Sequence, residues 1–352
     1  MADCTIDLWD GVLEDQKRSG RCWIYASLVP LRLKTGIRFS TNYIYYFDQL
    51  EKSRAFLNRM REKRDVPLHD PELSELLREP VSSVGQWCYF AALAEQYGLV
   101  PRSVMPDTEA TEDGTRLTRL LNERLRYGAK RIRAGENASE TLQQVEAVLR
   151  EQLGTPPEGF EWDGISYTPL TFFRERCGVD FHESVMLMHH PAERWPVNCA
   201  YHETEAPEQR DPLLTMLSAN METIKALALR QLREGEPVVI GCDVRHCGSR
   251  KDGLLDLALG NGLPRLSKAE AIAFREINAC HVMCIDGMTS DGRWRVQDSH
   301  GMETGTDGHY TMTDAWFDAY VLSAVVKKEY LPSELQDALK KPAVYMPKSE
   351  RF

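Results

Sequence analysis

The stretch Asp15-Gln16-Lys17-Arg18-Ser19-Gly20-Arg21-Cys22-Trp23-Ile24-Tyr25-Ala26-Ser27-Leu28-Val29 decides how the chain is read. Ser19-Gly20-Arg21 supplies a turn and a candidate cap, and the apolar run from Cys22 onward predicts a buried helix. Pro30 predicts a kink or a boundary. A thiol at such a junction feels the positive end of the helix dipole and unpaired backbone N–H groups, which favour thiolate. Gln16 lies upstream in a segment able to fold back beside the sulfur. Its side-chain amide and the backbone N–H of Cys22 then make two donors aimed at an oxyanion.

A thiolate nucleophile needs a base, and the base needs an orienter. His281 heads the apolar stretch His281-Val282-Met283-Cys284-Ile285-Asp286-Gly287-Met288, which reads as a strand. Asp298 closes the alternating stretch Arg293-Trp294-Arg295-Val296-Gln297-Asp298. A carboxylate there can accept a bond from the second ring nitrogen of His281 and so fix its tautomer and direction. Taken singly, each residue has a blander reading. A cysteine near a helix start is usually inert packing, a strand histidine is usually satisfied in the core, and Asp298 can simply open the turn Ser299-His300-Gly301. Order and context together favour nucleophile, base and orienter drawn from both sides of a cleft.

Working outward, residues Thr41 to Arg64 predict a second helix with Tyr43, Tyr46, Phe47 and Leu50 on one face. Residues 65–80 read as a polar loop with a short helix, and Gln86 to Tyr97 as a helix stopped by Gly98. Residues 115–153 predict one or two amphipathic helices. Their basic residues, Arg116 to Arg133, are diluted by Glu123, Glu136 and Glu140, so a solvated face is favoured over a nucleic-acid surface. Ser218 to Arg233 reads as a further helix. After Gly235 the texture changes to strands at 237–244, 281–288, 293–298 and 320–326. The expected class is α+β, one unit over 1–352. It comprises a helical lobe over 1–100, a helical insertion with lobe elements over 101–234, a β-rich lobe over 235–330 and a C-terminal arm over 331–352.

The whole-chain figures agree with that reading. At 352 residues the chain can bury a core without staples, and a formal charge of −10 is a poor match for nucleic acid or an anionic membrane. The acidic start Met1-Ala2-Asp3-Cys4 shows no signal-peptide pattern, and no apolar run reaches spanning length. An odd count of 9 cysteines suggests free thiols in a reducing cytoplasm. Cys242 with Cys247, and Cys280-His281 with Cys284, lack zinc-site spacing, and buried apolar cysteine is preferred. His189-His190 before Pro191 reads as a surface or hinge pair. The site calls for no metal and no cofactor.

Those same residues resemble the cysteine motif of papain-like peptidases, in the bleomycin hydrolase and aminopeptidase C branch, which carries Asn-Gln-Lys-x-Ser-Gly-Arg-Cys-Trp here. Further landmarks follow in family order: Asp48-Gln49-Leu50-Glu51-Lys52-Ser53, Gly85-Gln86-Trp87, Gly241-Cys242-Asp243-Val244, Leu266-Ser267-Lys268-Ala269-Glu270 and Trp294-Arg295-Val296-Gln297-Asp298-Ser299-His300-Gly301. The resemblance implies a two-lobed papain-like fold with helical insertions and a thioester acyl-enzyme that cleaves peptides or peptide-like amides from their N-terminus. It implies Cys22 as nucleophile, His281 as base then acid, Gln16 as oxyanion donor and Asp298 as orienter. Gly85, Val84, Trp23 and a C-terminal arm ending at Phe352 fall on the substrate side, and a homo-hexamer is implied. The chain departs from the pattern in four places. Asp298 stands for asparagine, and His300 stands for a shielding tryptophan, which predicts a more exposed or differently packed third position. Val84 replaces a glycine at the rim, and the tail lacks the family ending. The altered rim and tail keep open an acyl-transfer or amide-forming role at the same site, and a silent scaffold is a third reading.

Overall fold

The first turns of helix α1 (Cys22–Thr35) are buried on every side, which is why the sequence there shows no polar stripe. Pro30 lies inside α1 and does not end it. A mid-helix proline costs about 3 kcal/mol. Close packing on both sides of it, by Val29 and Leu31, offsets that cost. The helix stops instead at Gly36, whose φ of 70° gives the left-handed closing residue. The computed structural model describes residues 4–202, 212–260, 262, 264–305, 307–347 and 350.

Around α1 stand the helices of the first lobe: α2 (Thr41–Glu62), α3 (Trp87–Tyr97), α4 (Thr115–Arg133) and α5 (Ser139–Leu153). Ser40 caps α2 by accepting the Tyr43 N–H at 3.0 Å. Along α4, Leu117, Leu121, Leu125, Ala129 and Ile132 face the core. On its outer face Arg119 pairs with Glu123, and Arg131 with Glu136 and Glu140. Arg124, Arg126 and Arg133 are instead spent on backbone carbonyls of Leu120, Leu77, Arg78 and Val66.

The second lobe is a large mixed sheet. Its strands are β1 (Cys4–Asp7), β2 (Ser184–Met188), β3 (Cys199–His202), β4 (Thr215–Ser218), β5 (Val238–Cys242), β6 (His281–Thr289), β7 (Trp294–Gln297), β8 (His309–Met312), β9 (Val321–Lys327) and β10 (Val344–Tyr345). The order runs β10-β3-β4-β2-β9-β5-β6-β7-β8 and continues into the short pieces Leu254–Leu255 and Gly248–Ser249. Strand β6 pairs β5 through His281 to Ile285, and β1 through Gly287 to Thr289. Helices α6 (Met221–Arg233), α7 (Asp314–Tyr320) and α8 (Ser333–Leu339) pack in the same lobe.

Four expectations are corrected. The sheet does not begin at 235, because β2, β3 and β4 belong to it. All three are short, and β2 and β4 are rich in methionine and leucine, which carry little strand preference. Ser218 ends β4, and Asn220 caps α6 by accepting the Thr223 N–H at 2.7 Å, so the helix starts later than expected. Residues 331–346, expected as part of a C-terminal arm, pack into the second lobe: α8 buries Leu335 and Ala338, β10 runs parallel to β3, and Met346 is buried. His190 is no surface histidine. It is buried, and its Nε2 lies 3.1 Å from the Glu350 carbonyl oxygen. Phe352 lies outside the described residues.

The two lobes meet where α1 packs on β6 and β5. That contact sets the start of α1 beside the head of β6. Among the described residues, no helix is long and apolar enough to cross a membrane.

Candidate active site

The turn before α1 is fastened from several directions. Arg21 is almost fully buried and donates from Nη2 to the Thr111 carbonyl at 2.5 Å and from Nη1 to Thr41 Oγ1 at 3.3 Å. The Gln16 N–H donates to the Ser299 carbonyl at 2.7 Å, and Ser299 Oγ donates to Gln16 Oε1 at 2.8 Å. With Oε1 so fixed, the Nε2 amide has no hydrogen-bond partner among the described residues. Cys22 thus starts its helix on a loop stitched to the residues that follow Asp298.

Strand β6 brings His281 beside Cys22, where the imidazole and the backbone N–H groups of Val282 and Trp23 act on the sulfur. On the far side of the ring, His281 Nε2 donates to Asp298 Oδ1 at 2.8 Å. Asp298 is itself saturated. Its Oδ1 accepts the Ser299 N–H at 2.8 Å, its Oδ2 accepts Thr304 Oγ1 at 2.6 Å, and His300 Nδ1 lies 3.1 and 3.0 Å from the two oxygens. Asp298 is 3% exposed, so the substitution of histidine at position 300 does not open the third position. His300 supplies a polar cover, so of the two expectations the third position is differently packed and not more exposed. The sequence reading missed Thr304 and the bonding role of His300. The adjacency of a histidine to Asp298 was the available signal for His300; Thr304 had none.

Burial alone pushes the Cys22 thiol up, but the charge and hydrogen bond of His281, with the two backbone donors, outweigh it and hold the thiol below its ordinary value. Burial alone would depress His281, yet the opposed Cys22 charge and the Asp298 bond raise it to about 10. For Asp298 burial acts upward, and the bonds from His281 and His300 hold the carboxyl well below the usual carboxylate range. The favoured state is a thiolate–imidazolium pair on an ionised carboxylate, titrating as a coupled unit. Four other thiols contrast with it: burial pushes Cys177 up to about 12, and Cys242, Cys280 and Cys284 are also raised.

The substrate-side expectations divide. Val84 is 67% exposed at the rim. The Gly85 N–H and C=O bond nothing among the described residues, which leaves them to an extended ligand backbone. Trp23 does not face the cleft, because its side chain has no exposed surface. It underlies the rim: Nε1 donates to the Ser83 carbonyl at 3.0 Å, and a Cβ on Gly85 would come within 2.4 Å of the indole. A buried indole cannot touch a substrate but can fix the loop that does.

Among the described residues, one group has the make-up of a metal site: His281, Asp298 and His300, with ligating atoms all within 4.8 Å. Each of those atoms is engaged by another member of the group, so these contacts are spent on hydrogen bonds.

A sequence model described as the Peptidase C1-like family matches residues 4–349. Aminopeptidase C of Lactobacillus delbrueckii subsp. lactis is 30% identical, over 95% of this chain and 83% of its own length. Bleomycin hydrolase of Gallus gallus is 29% identical, over 95% of this chain and 84% of its own length. The crystal structure of PepW from Lactobacillus rhamnosis HN001 is similar with a TM-score of 0.91 at 30% identity, covering 99% of this chain and 87% of that one.

Proposed function

This chain belongs to the Peptidase C1-like family, and from that membership we propose that it is a papain-like cysteine aminopeptidase acting on peptides or peptide-like amides. The observation that carries the reading is the Cys22–His281–Asp298 line, in which a depressed thiol meets a raised imidazole held by a buried carboxylate. Cys22 Sγ attacks the substrate carbonyl carbon. The oxygen that becomes negative is met by the Cys22 N–H and Gln16 Nε2, two donors preset by the turn. His281 gives its proton from the nitrogen facing Cys22 to the leaving amine as the C–N bond breaks, and a thioester remains on Cys22. A water then gives a proton to the same nitrogen and attacks the thioester, releasing the acid and restoring the thiolate–imidazolium pair. Asp298 keeps the ring aligned through both halves.

The Gly85 backbone is assigned to pairing with the substrate chain, with Val84 bordering the pocket. Free cysteines at all nine positions motivate placing the protein in a reducing cytoplasm. Assembly as a homo-oligomer belongs to the same proposal, on the family resemblance. The test is steady-state hydrolysis of one peptide with a free and with an acetylated N-terminus. A kcat/KM favouring the free amine by at least about tenfold is expected for exopeptidase selection. Equal values would contradict the aminopeptidase reading while leaving a cysteine peptidase.

A further inference from the structure

The motif Asp48-Gln49-Leu50-Glu51-Lys52-Ser53 on α2 takes no part in the chemistry above, yet Asp48 is nearly fully buried and Gln49 and Ser53 wholly so. Burying a carboxylate and an amide is costly unless their bonds are made. The Asp48 carboxylate takes bonds from Gln49 and Lys52, whose nitrogens in turn reach the rim, while Gln49 Oε1 has no partner among the described residues. Lys52 Nζ donates to the carbonyls of Ser82 and Val84, at 3.0 and 2.7 Å, and to Asp48 Oδ2 at 2.8 Å. Gln49 Nε2 donates to the Ser82 carbonyl and to Asp48 Oδ2, each at 2.9 Å. The Ser83 carbonyl is taken by the Trp23 indole. Three consecutive carbonyls are therefore held from beneath, and the next residue is Gly85, with both backbone groups unbonded among the described residues. Lys52 Nζ also lies 5.8 Å from the centroid of the Trp23 ring, beside the residue that follows Cys22.

We propose that Lys52, seated on Asp48 and Gln49, is a positioning residue for substrate. It sets the rim so that the Gly85 amide pairs with an extended peptide backbone in the register that delivers a carbonyl to Cys22. An ammonium has three N–H donors. All three are engaged within the protein, so Lys52 acts through the rim and not by touching the ligand. The inference rests on the assignment of Cys22 and Gly85 made above.

The test compares two thiol reagents on the parent chain, on Lys52→Met and on the double variant Asp48→Asn/Lys52→Met. Iodoacetamide needs only the Cys22 thiolate, whereas a peptidyl epoxide must also lay its backbone along the rim. Both variants are expected to keep the iodoacetamide rate within about twofold and to lose about tenfold or more with the peptidyl epoxide. The double variant removes the unpaired carboxylate that Lys52→Met strands, so a folding defect of the single variant does not decide the outcome. A folded variant that reacts with the peptidyl epoxide at the parent rate overturns the proposal, and so does an equal loss with both reagents. A parent chain whose Cys22 resists iodoacetamide overturns the catalytic assignment itself.

Discussion

At the scale of single residues, the site turns on one substitution, a carboxylate where the resembled family has an amide. Asp298 stabilises the His281 imidazolium, whose pKa stands at about 10. A raised histidine keeps its proton until pH climbs through the folded value, so loss of the Asp298 charge brings that deprotonation to lower pH. Asp298→Asn is expected to retain most of the turnover, because an amide oxygen still accepts the Nε2–H bond, while the alkaline limb of the kcat/KM profile moves down. Asp298→Ala leaves the ring unoriented and is expected to lose about 100-fold or more in kcat. A pH profile of Asp298→Asn superimposable on the parent's contradicts this account. Cys22, His281, Asp298 and Gln16 were all legible in the sequence, because a turn, a helix start and two strand ends each leave a local pattern. The bonds from His300 and Thr304 to Asp298 were not. They depend on a tight turn after β7 that folds residues 299–304 back over the carboxylate, and no periodicity records that.

Among the elements, the junction after α3 is the most constrained by backbone. Gly98 has φ 78° and ψ −167°, a conformation essentially confined to glycine. A Cβ there would lie 2.2 Å from the backbone of Pro169. Gly98→Ala is therefore expected to cost about 2–4 kcal/mol, read as a fall in the urea midpoint with an unchanged slope. A midpoint equal to the parent's contradicts the packing described. Sequence reading found this helix stop, since glycine followed by Pro101 marks it in plain view. It failed on β2 and β4, which are apolar runs too short for alternation to show, and the partner β9 of β2 lies far along the chain. Register with β9 makes β2 a strand, and only tertiary pairing supplies that register.

For the molecule as a whole, one helix serves two cores. α1 is buried among the helices of the first lobe while its start meets β6 of the second, so the thiol and the imidazole come from different lobes and are brought together by tertiary packing. Arg32 strengthens that junction: it is buried on α1, pairs with Asp10 at 2.7 Å and reaches Gln297 of β7 at 3.3 Å. The two-lobed plan followed from the change of texture along the sequence. The lobe boundary did not, because strands β2 to β4 are spliced into the sheet from the helical half. The consequence of this assembly is a difference between Cys22 and the raised thiols Cys177, Cys242, Cys280 and Cys284. Cys22 is the thiol held below its ordinary pKa, and Cys280, though exposed, is raised. Alkylation rate follows thiolate fraction and access. The decisive measurement is brief treatment of the native protein with substoichiometric iodoacetamide at about pH 6, followed by peptide mapping of all the cysteines. The account predicts label on Cys22 alone, with loss of peptide hydrolysis in proportion to the label. Label on Cys280 with Cys22 untouched, or label on Cys22 with hydrolysis undiminished, would contradict it.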